Sequence, residues 1–205
     1  MFVKRDLRKI DELIYDPVAV KELSLSRRPA EFSASLKPLI NNTNLPLLTP
    51  LLTLSVYDCE ISDVSALSKL GNTAIREINI GRNPVKSLPT GLACLETLKL
   101  FWAEDVQLEG EFPECLYSMS NLENVRLSGN MIDTLSGPKL KNMSSLKSLN
   151  LDNNEIVEIP VEMGSLVNME SLSLRSNKIE YLPESVIGGM KNLTMLHVSS
   201  NKLAR

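Results

Sequence analysis

The 205-residue sequence has few of the side chains that catalysis or metal binding needs. It contains one histidine, His197, and three scattered cysteines. No carboxylate lies on the same side of the segment around His197 to complete a catalytic relay. The cysteines and the histidine lack the spacing of zinc ligands. Gly188-Gly189 lacks the Lys-Ser/Thr that follows a phosphate-binding loop. The sequence therefore predicts no enzyme active site, no metal site and no cofactor.

Charge and apolar runs exclude further classes of protein. The formal net charge is −3, and no run of Lys or Arg exceeds two residues, which argues against a nucleic-acid binder. No segment approaches the roughly 18 consecutive apolar residues of a membrane-spanning helix. Residues 1–6 lack the apolar core of a signal peptide, and an odd number of cysteines does not suggest a secreted disulfide framework. We therefore expect a cytoplasmic protein without membrane insertion, with its cysteines buried as small apolar residues.

The chain does have a repeated phrase of nine residues, apolar at its first, fourth and sixth positions and often ending in Asn. Eight copies begin at residues 20, 51, 75, 95, 122, 146, 169 and 193. Positions four and six lie on the same side of a strand, and one strand cannot bury both alone. Stacked parallel strands would share one apolar core. The asparagines would satisfy buried backbone groups where the chain turns; they are Asn83, Asn130, Asn154, Asn177 and Asn201, with Cys59 in the second copy.

This phrase resembles the signature of leucine-rich repeat proteins. Copies that continue as L-x-x-L-x-L-x-x-N-x-I-x-x-L-P resemble the intracellular, Ras-suppressor-like members. The resemblance implies an α/β solenoid: a curved right-handed horseshoe with a parallel β-sheet on its concave face and short helical or extended convex segments. We expect the solenoid at residues 20–205, with about eight repeats, the last incomplete. The resemblance also implies a scaffold or adaptor in signalling or assembly.

The two ends of the predicted solenoid differ. Residues Lys4 to Tyr15 place apolar side chains at helical spacing, so residues 1–19 are predicted to be an N-terminal capping helix. Past Asn201 the sequence offers no cap, so the last repeat is expected to have an open edge. That edge would be covered by further chain or by self-association, unless a frayed final coil is tolerated.

The repeat period breaks in the first half of the sequence. The first four intervals between copies are 31, 24, 20 and 27 residues, whereas the last three are 24, 23 and 24. In the copy that begins at Leu95, Ala103 stands where Asn is expected. We interpret this as a three-residue insertion, because 27 − 24 = 3. The resulting bulge would carry Trp102, the only tryptophan, either as a partner-binding hot spot or folded inward to fill the missing asparagine's volume.

Positions three, five and seven of the phrase are expected on the concave face. Most are small and polar, as any solvated sheet face requires. Against that background the sequence has two aromatic positions and three cationic ones, interrupted by one acid, a composition typical of protein-binding surfaces. With Trp102 added, the candidate partner-binding residues are Tyr57, Lys99, Phe101, Trp102, Arg126, Asp152 and Arg175. Phe101, at position seven of its copy, is predicted to be exposed.

The leading functional hypothesis is a non-catalytic module that binds a protein partner on its concave face. Two alternatives stay open. The stretch from Leu108 to Pro113 resembles the L-x-G-x-I-P ending of plant-type repeats, which suggests the extracellular recognition domain of a receptor. The repeats could also target a larger enzyme of which this chain is one part.

Overall fold

The computed structural model describes residues 4–6, 20–27, 34–41 and 48–204. Its main feature is a parallel sheet of nine described strands in the order β1-β2-β3-β4-β5-β7-β9-β10-β11. The strands are β1 (Lys4–Asp6), β2 (Glu22–Ser24), β3 (Thr53–Ser55), β4 (Glu77–Asn79), β5 (Leu100–Trp102), β7 (Asn124–Arg126), β9 (Ser148–Asn150), β10 (Ser171–Ser173) and β11 (Met195–His197). Each strand pairs with the next coil along the chain, so the α/β leucine-rich repeat solenoid is confirmed.

The convex side is built from short elements. A second, two-stranded parallel sheet joins β6 (Glu109–Glu111) to β8 (Met131–Thr134). The helices are one or two turns long: Ser65–Asn72, Thr90–Cys94, Glu114–Tyr117, Gly137–Leu140, Val161–Ser165 and Glu184–Gly189. Prolines immediately precede four of them, at 89, 113, 160 and 183, where a fixed φ starts a helical turn without removing a needed backbone bond.

The register of the main sheet aligns one buried residue from each coil. In β9 and β10, for example, Leu149 lies opposite Leu172, and both are buried. Since the flanking residues of each strand point to the other side, the sheet has a dry face against the core and a solvated face. The described strands from β2 to β9 of this sheet follow that rule, and in β10 the flanking Ser173 is buried as well.

The turn asparagines connect neighbouring coils. Asn130 Oδ1 accepts hydrogen bonds from the backbone N–H of Val106 at 3.1 Å and of Leu108 at 3.0 Å. Its Nδ2 donates to the carbonyl oxygens of Ala103 and Leu127, both at 2.9 Å. One buried amide thus satisfies four backbone groups of two coils. Asn83 repeats this arrangement, with Oδ1 accepting from Cys59 and Ile61. Asn154, Asn177 and Asn201 each accept from one backbone N–H of the coil before and donate to carbonyl oxygens of both coils.

The predicted three-residue insertion is wrong. In the sheet, Leu100 aligns with Asn124 and Phe101 with Val125, so this copy of the phrase begins at Leu98 rather than Leu95. The intervals become 98 − 75 = 23 and 122 − 98 = 24 residues. Val106 therefore occupies the asparagine position, while Ala103 is an ordinary core residue. Both frames place apolar residues three apart, and only the pairing with neighbouring strands distinguishes them.

The predicted capping helix is wrong at its start. Lys4–Asp6 form β1, which pairs in parallel with β2 and so extends the sheet into the segment predicted as a separate cap. Pairing satisfies the backbone groups along the open edge of β2. The stabilisation from these tertiary contacts outweighs the helical pattern of the sequence. The remainder of the predicted helix, residues 7–15, lies outside the described part of the chain. At the other end, Leu203 is partly exposed, and the predicted self-association there stays a prediction.

The cysteines differ in exposure. Cys59 and Cys115 are buried, as expected, but Cys94 is exposed, so the prediction of three buried thiols is wrong there. Burial raises the pKa of the Cys115 thiol to about 11, which disfavours its reactive thiolate.

We expect the folded protein to react quickly with one equivalent of Ellman's reagent, at Cys94, and the unfolded protein with three. A Cys94→Ser variant should abolish the fast phase and serves as the control. Fast reaction of a second thiol in that variant would contradict the burial of Cys59 and Cys115.

Candidate functional site

The concave face carries a groove of about 680 Å³ that crosses five neighbouring strands, β5, β7, β9, β10 and β11. Its walls are side chains that alternate with the core residues of each strand, from Leu100 at one end to His197 at the other. Because the coils stack in register, residues distant in sequence lie side by side across it. Three of the predicted site residues line this groove: Arg126, Asp152 and Arg175.

Trp102 stacks with Arg126 at one end of the groove. The two residues are direct partners across β5 and β7, and Arg126 Cζ lies 5.1 Å from the centre of the indole ring. Such a cation–π contact contributes about 0.5–1 kcal/mol at an exposed site. Trp102 is half-buried and Arg126 is exposed. Trp102 therefore belongs to the concave face itself and not to a bulge beside it.

Arg175 and Asp152 occupy the middle of the groove. Asp152 Oδ1 accepts hydrogen bonds from Ser173 Oγ at 2.6 Å and from the backbone N–H of Arg175 at 2.7 Å. Arg175 Nη2 lies 2.8 Å from His197 Nδ1. A guanidinium can only donate, so Nδ1 accepts, and the proton of the neutral imidazole is on Nε2. Within the described residues, neither Arg126 nor Arg175 forms an ion pair with a carboxylate.

A row of alternating charges runs along one margin of the groove. Glu123 accepts from Lys99 Nζ at 2.5 Å and from Lys147 Nζ at 2.8 Å. These two hydrogen bonds, the one from Lys147 foremost, lower the pKa of Glu123 to about 2. The revised repeat frame places Lys99 in this row at position two of the phrase, not on the concave position predicted for it. Its charge is offset by Glu123.

The charge row gives a pH-dependent stability. Since the pKa of Glu123 falls from 4.5 to about 2 on folding, its contribution is present at neutral pH and is lost as the pH falls through that window. Glu123→Gln should lower the free energy of unfolding by about 1 kcal/mol or less at pH 7, because the pair is largely solvated. Urea unfolding of both proteins from pH 7 to pH 2 measures the difference.

In that titration the difference between parent and Glu123→Gln should shrink toward zero at the acid end. Glu96→Gln is the matched control, because Glu96 is exposed and forms no ion pair with a described residue. A difference that stayed constant across the whole range would contradict an ionised, hydrogen-bonded Glu123.

Two predicted site residues lie elsewhere. Phe101 is fully buried at the centre of β5, so its predicted exposure on the concave face is wrong; the shifted frame makes it a core residue. Tyr57 is half-buried near the concave face at β3, with Arg82 Cζ 5.6 Å from its ring centre. It does not line the groove, and the coil of β4 separates it from Trp102. The binding role of the predicted set stays a prediction.

Several residues that line the groove have no role predicted from sequence. Glu123, Lys147 and Glu170 stand at position two of their phrases, outside the positions expected on the concave face. His197 and the largely exposed Met195 do stand on expected concave positions, but their residue types alone do not suggest binding. Within the described ranges, no group of three or more His, Cys, Asp or Glu side chains is placed to hold a metal ion. The described helices are also too short or too polar to cross a bilayer.

A family model described as "Leucine rich repeat" matches residues 144–203, the coils of β9, β10 and β11. These coils are leucine-rich repeats, and the described chain has the leucine-rich repeat fold. Among curated proteins, it is 36% identical over 93 residues to a probable inactive serine/threonine-protein kinase, roco10, of Dictyostelium discoideum. That match covers 43% of this chain and 3% of the relative's length. The finer resemblance to Ras-suppressor-like proteins stays a prediction.

Solved structures share the fold of this protein. Internalin C2 of Listeria monocytogenes aligns with a TM-score of 0.72 and 22% identity, over 91% of this chain and 74% of its own. A leucine-rich repeat protein of Leptospira interrogans aligns with 0.71 and 20%, over 97% and 54%. The ectodomain of an Arabidopsis thaliana receptor kinase, GASSHO1/SCHENGEN3, aligns with 0.59 and 24%, over 74% and 20%. Leucine-rich repeat proteins generally mediate protein–protein interaction and are typically non-catalytic.

Proposed function

We propose that this protein is a non-catalytic interaction module whose concave groove binds a protein partner. The observation that carries the proposal is a pair of guanidinium groups, on Arg126 and Arg175, that face the groove without a carboxylate partner among the described residues. Arginine and tryptophan are the residues most enriched at binding hot spots. The partner would place carboxylates against the two arginines and an apolar side chain against the Trp102–Arg126 stack.

Two unpaired polar atoms at the same end of the groove support this proposal. The Nε1–H of Trp102 and the Oδ1 of Asn124 are buried without a hydrogen-bond partner. They lie on the adjacent strands β5 and β7, and an unmet buried polar group costs about 1–3 kcal/mol. A bound segment that reached these atoms would satisfy Nε1–H with a carbonyl oxygen and Oδ1 with an N–H.

A double variant tests the proposal. Arg126→Ala with Arg175→Ala should weaken partner binding at least tenfold in a quantitative affinity capture, because each hot-spot contact contributes about 1–2 kcal/mol. Both side chains are exposed, so the free energy of unfolding should fall by no more than about 1 kcal/mol, including the loss of the cation–π contact of Arg126. The matched control is Lys141→Ala with Lys191→Ala, which removes two exposed cations outside the groove. Equal recovery of every partner by both double variants would contradict the proposal.

The wider role of the proposed module is that of a scaffold or adaptor in the cytoplasm. The second candidate is a receptor ectodomain, favoured by the similarity to the receptor-kinase ectodomain, which was solved in complex with CASPARIAN STRIP INTEGRITY FACTOR 2. Expression through a secretory pathway, followed by intact-mass analysis, separates the two candidates. Stoichiometric sugar on the exposed Asn142 would favour the ectodomain, and its absence the cytoplasmic module.

A further inference from the structure

A second groove lies on the convex side, beyond the asparagine turns. It consists of two adjoining hollows of about 370 and 230 Å³ that share Val157 and Glu158 in their walls. None of its lining residues lines the concave groove. We call it the convex groove; its walls are Asp133, Thr134, Leu135, Val157, Glu158, Ile159, Pro160, Glu180 and Tyr181.

The repeat register arranges these side chains in two short rows. Asp133, Val157 and Glu180 each stand three positions after the turn asparagine of their own coil. Glu158 and Tyr181 follow them by one position and are joined by a parallel bridge. Acidic and apolar side chains therefore alternate from one coil to the next in the first row, and in the last two coils an acidic and an apolar residue are neighbours.

The apolar members of this groove are unusually open to solvent. Tyr181 is 67% exposed, and Val157 is 41% exposed. Most core positions of the neighbouring coils are fully buried, so these two side chains are not part of the solenoid's own packing. Exposed apolar side chains ringed by polar ones are typical of interaction surfaces.

The charge of the convex groove has one sign. Within the described ranges, Asp133, Glu158 and Glu180 form no ion pair; Asp133 accepts only a hydrogen bond from Thr134 Oγ1, at 2.7 Å. Two cations of these coils are engaged with other acids: Lys178 with Glu155 at 2.8 Å, and Lys139 with Glu111 and Glu114. The three carboxylates are therefore available to an incoming cation.

We propose that the convex groove docks an extended protein segment that presents lysine or arginine and large apolar side chains on the same face. Its apolar groups would cover Val157 and Tyr181, and its cations would pair with Asp133, Glu158 and Glu180. In an extended segment every second side chain points the same way, so cations and apolar groups that stand two residues apart face the groove together. The carboxylates would repel nucleic acid and anionic lipid. This site goes beyond the concave site and allows two partners to be held at once.

A defined peptide tests the proposal directly. The probe is a short fluorescein-labelled peptide that repeats lysine, serine, leucine and serine, which places lysine and leucine on one face of an extended chain. It is titrated with the full chain and read by fluorescence anisotropy. Two control peptides replace leucine by serine or lysine by glutamate. The lysine–leucine peptide should bind at least tenfold more tightly than either control. Equal binding of the lysine–serine peptide would overturn the proposal, because charge alone would then explain it.

Substitutions in the convex groove test whether the peptide binds there. Glu158→Gln with Glu180→Gln should weaken the lysine–leucine peptide about five- to tenfold, and Tyr181→Ser by a similar factor. The matched control, Glu60→Gln with Glu96→Gln, removes two exposed acids outside the groove and should leave the affinity unchanged. All substituted side chains are exposed, so we expect the variants to fold as the parent protein does. If the control pair weakened peptide binding equally, or the groove variants did not weaken it, the placement of the binding site in the convex groove would be contradicted.

Discussion

Phe101→Ala is expected to lower the free energy of unfolding by about 3–5 kcal/mol, the usual cost of emptying a buried phenylalanine site. The ring is fully buried in β5, between Ile78 of β4 and Val125 of β7. Urea unfolding followed by circular dichroism gives the difference. Its size makes the variant a sensitive test of the repeat frame, because a concave, solvent-exposed phenylalanine would lose far less.

The control for this prediction is the preceding residue. Leu100 is half-buried and lines the concave groove, so Leu100→Ala should cost only about 1 kcal/mol. In the frame that begins at Leu95, the order would be reversed: Leu100 would be core and Phe101 exposed. A larger loss for Leu100→Ala than for Phe101→Ala would contradict the pairing of β5 with its neighbours.

Asn130→Ala is expected to cost at least about 3 kcal/mol. The substitution leaves four backbone groups without their partner: the N–H groups of Val106 and Leu108 and the carbonyl groups of Ala103 and Leu127. Each unmet buried group costs about 1–3 kcal/mol, and relaxation or entering water recovers only part of the sum. Denaturant unfolding provides the measurement.

Asn201→Ala is the matched control for this second prediction. Asn201 makes the same type of bonds, to Ile179 N–H and Leu174 O, but it is only half-buried, so water can replace the lost amide. We expect a loss below about 1 kcal/mol there. Equal losses at the two positions would mean that the asparagine ladder stabilises the solenoid by something other than burial of paired backbone groups.

The regular repeats could be predicted from sequence because each carries a single apolar frame. The copies that begin at Leu122, Leu146 and Met169 have leucine or valine at position four, leucine at position six and asparagine at position nine. The irregular copy has two possible apolar frames, because both Leu95 and Leu98 can start a phrase. The frame from Leu95 places leucine at core positions four and six. The frame from Leu98 places Phe101 and Ala103 there, so the sequence alone favours the wrong frame. The neighbouring intervals of 20 and 27 residues were the available warning.

The candidate site could be predicted only in part. The concave placement of Arg126, Asp152 and Arg175 followed from the repeat period, which the sequence carries plainly. The pairing of Lys99 with Glu123 did not, because it depends on which residues face one another across two coils. The same is true of the stack of Arg126 on Trp102, which required the corrected frame of β5.

The two grooves differ in charge. The concave groove is lined by three acids and three cations, whereas the charged residues that line the convex groove are all acids. A cationic segment would therefore favour the convex groove over the concave one. Substitutions in one groove should leave binding to the other unchanged, because no lining residue is shared.

The most direct test of the central claim, that the concave groove is the partner-binding surface, uses the single tryptophan. Chain labelled with 5-fluorotryptophan carries one ¹⁹F label, at Trp102 beside Arg126. Adding a partner that forms a complex by size-exclusion chromatography should shift or broaden this resonance, and Arg126→Ala with Arg175→Ala should abolish the effect. A stable complex that leaves the Trp102 resonance unchanged, and that Glu158→Gln with Glu180→Gln does not weaken, would contradict the account.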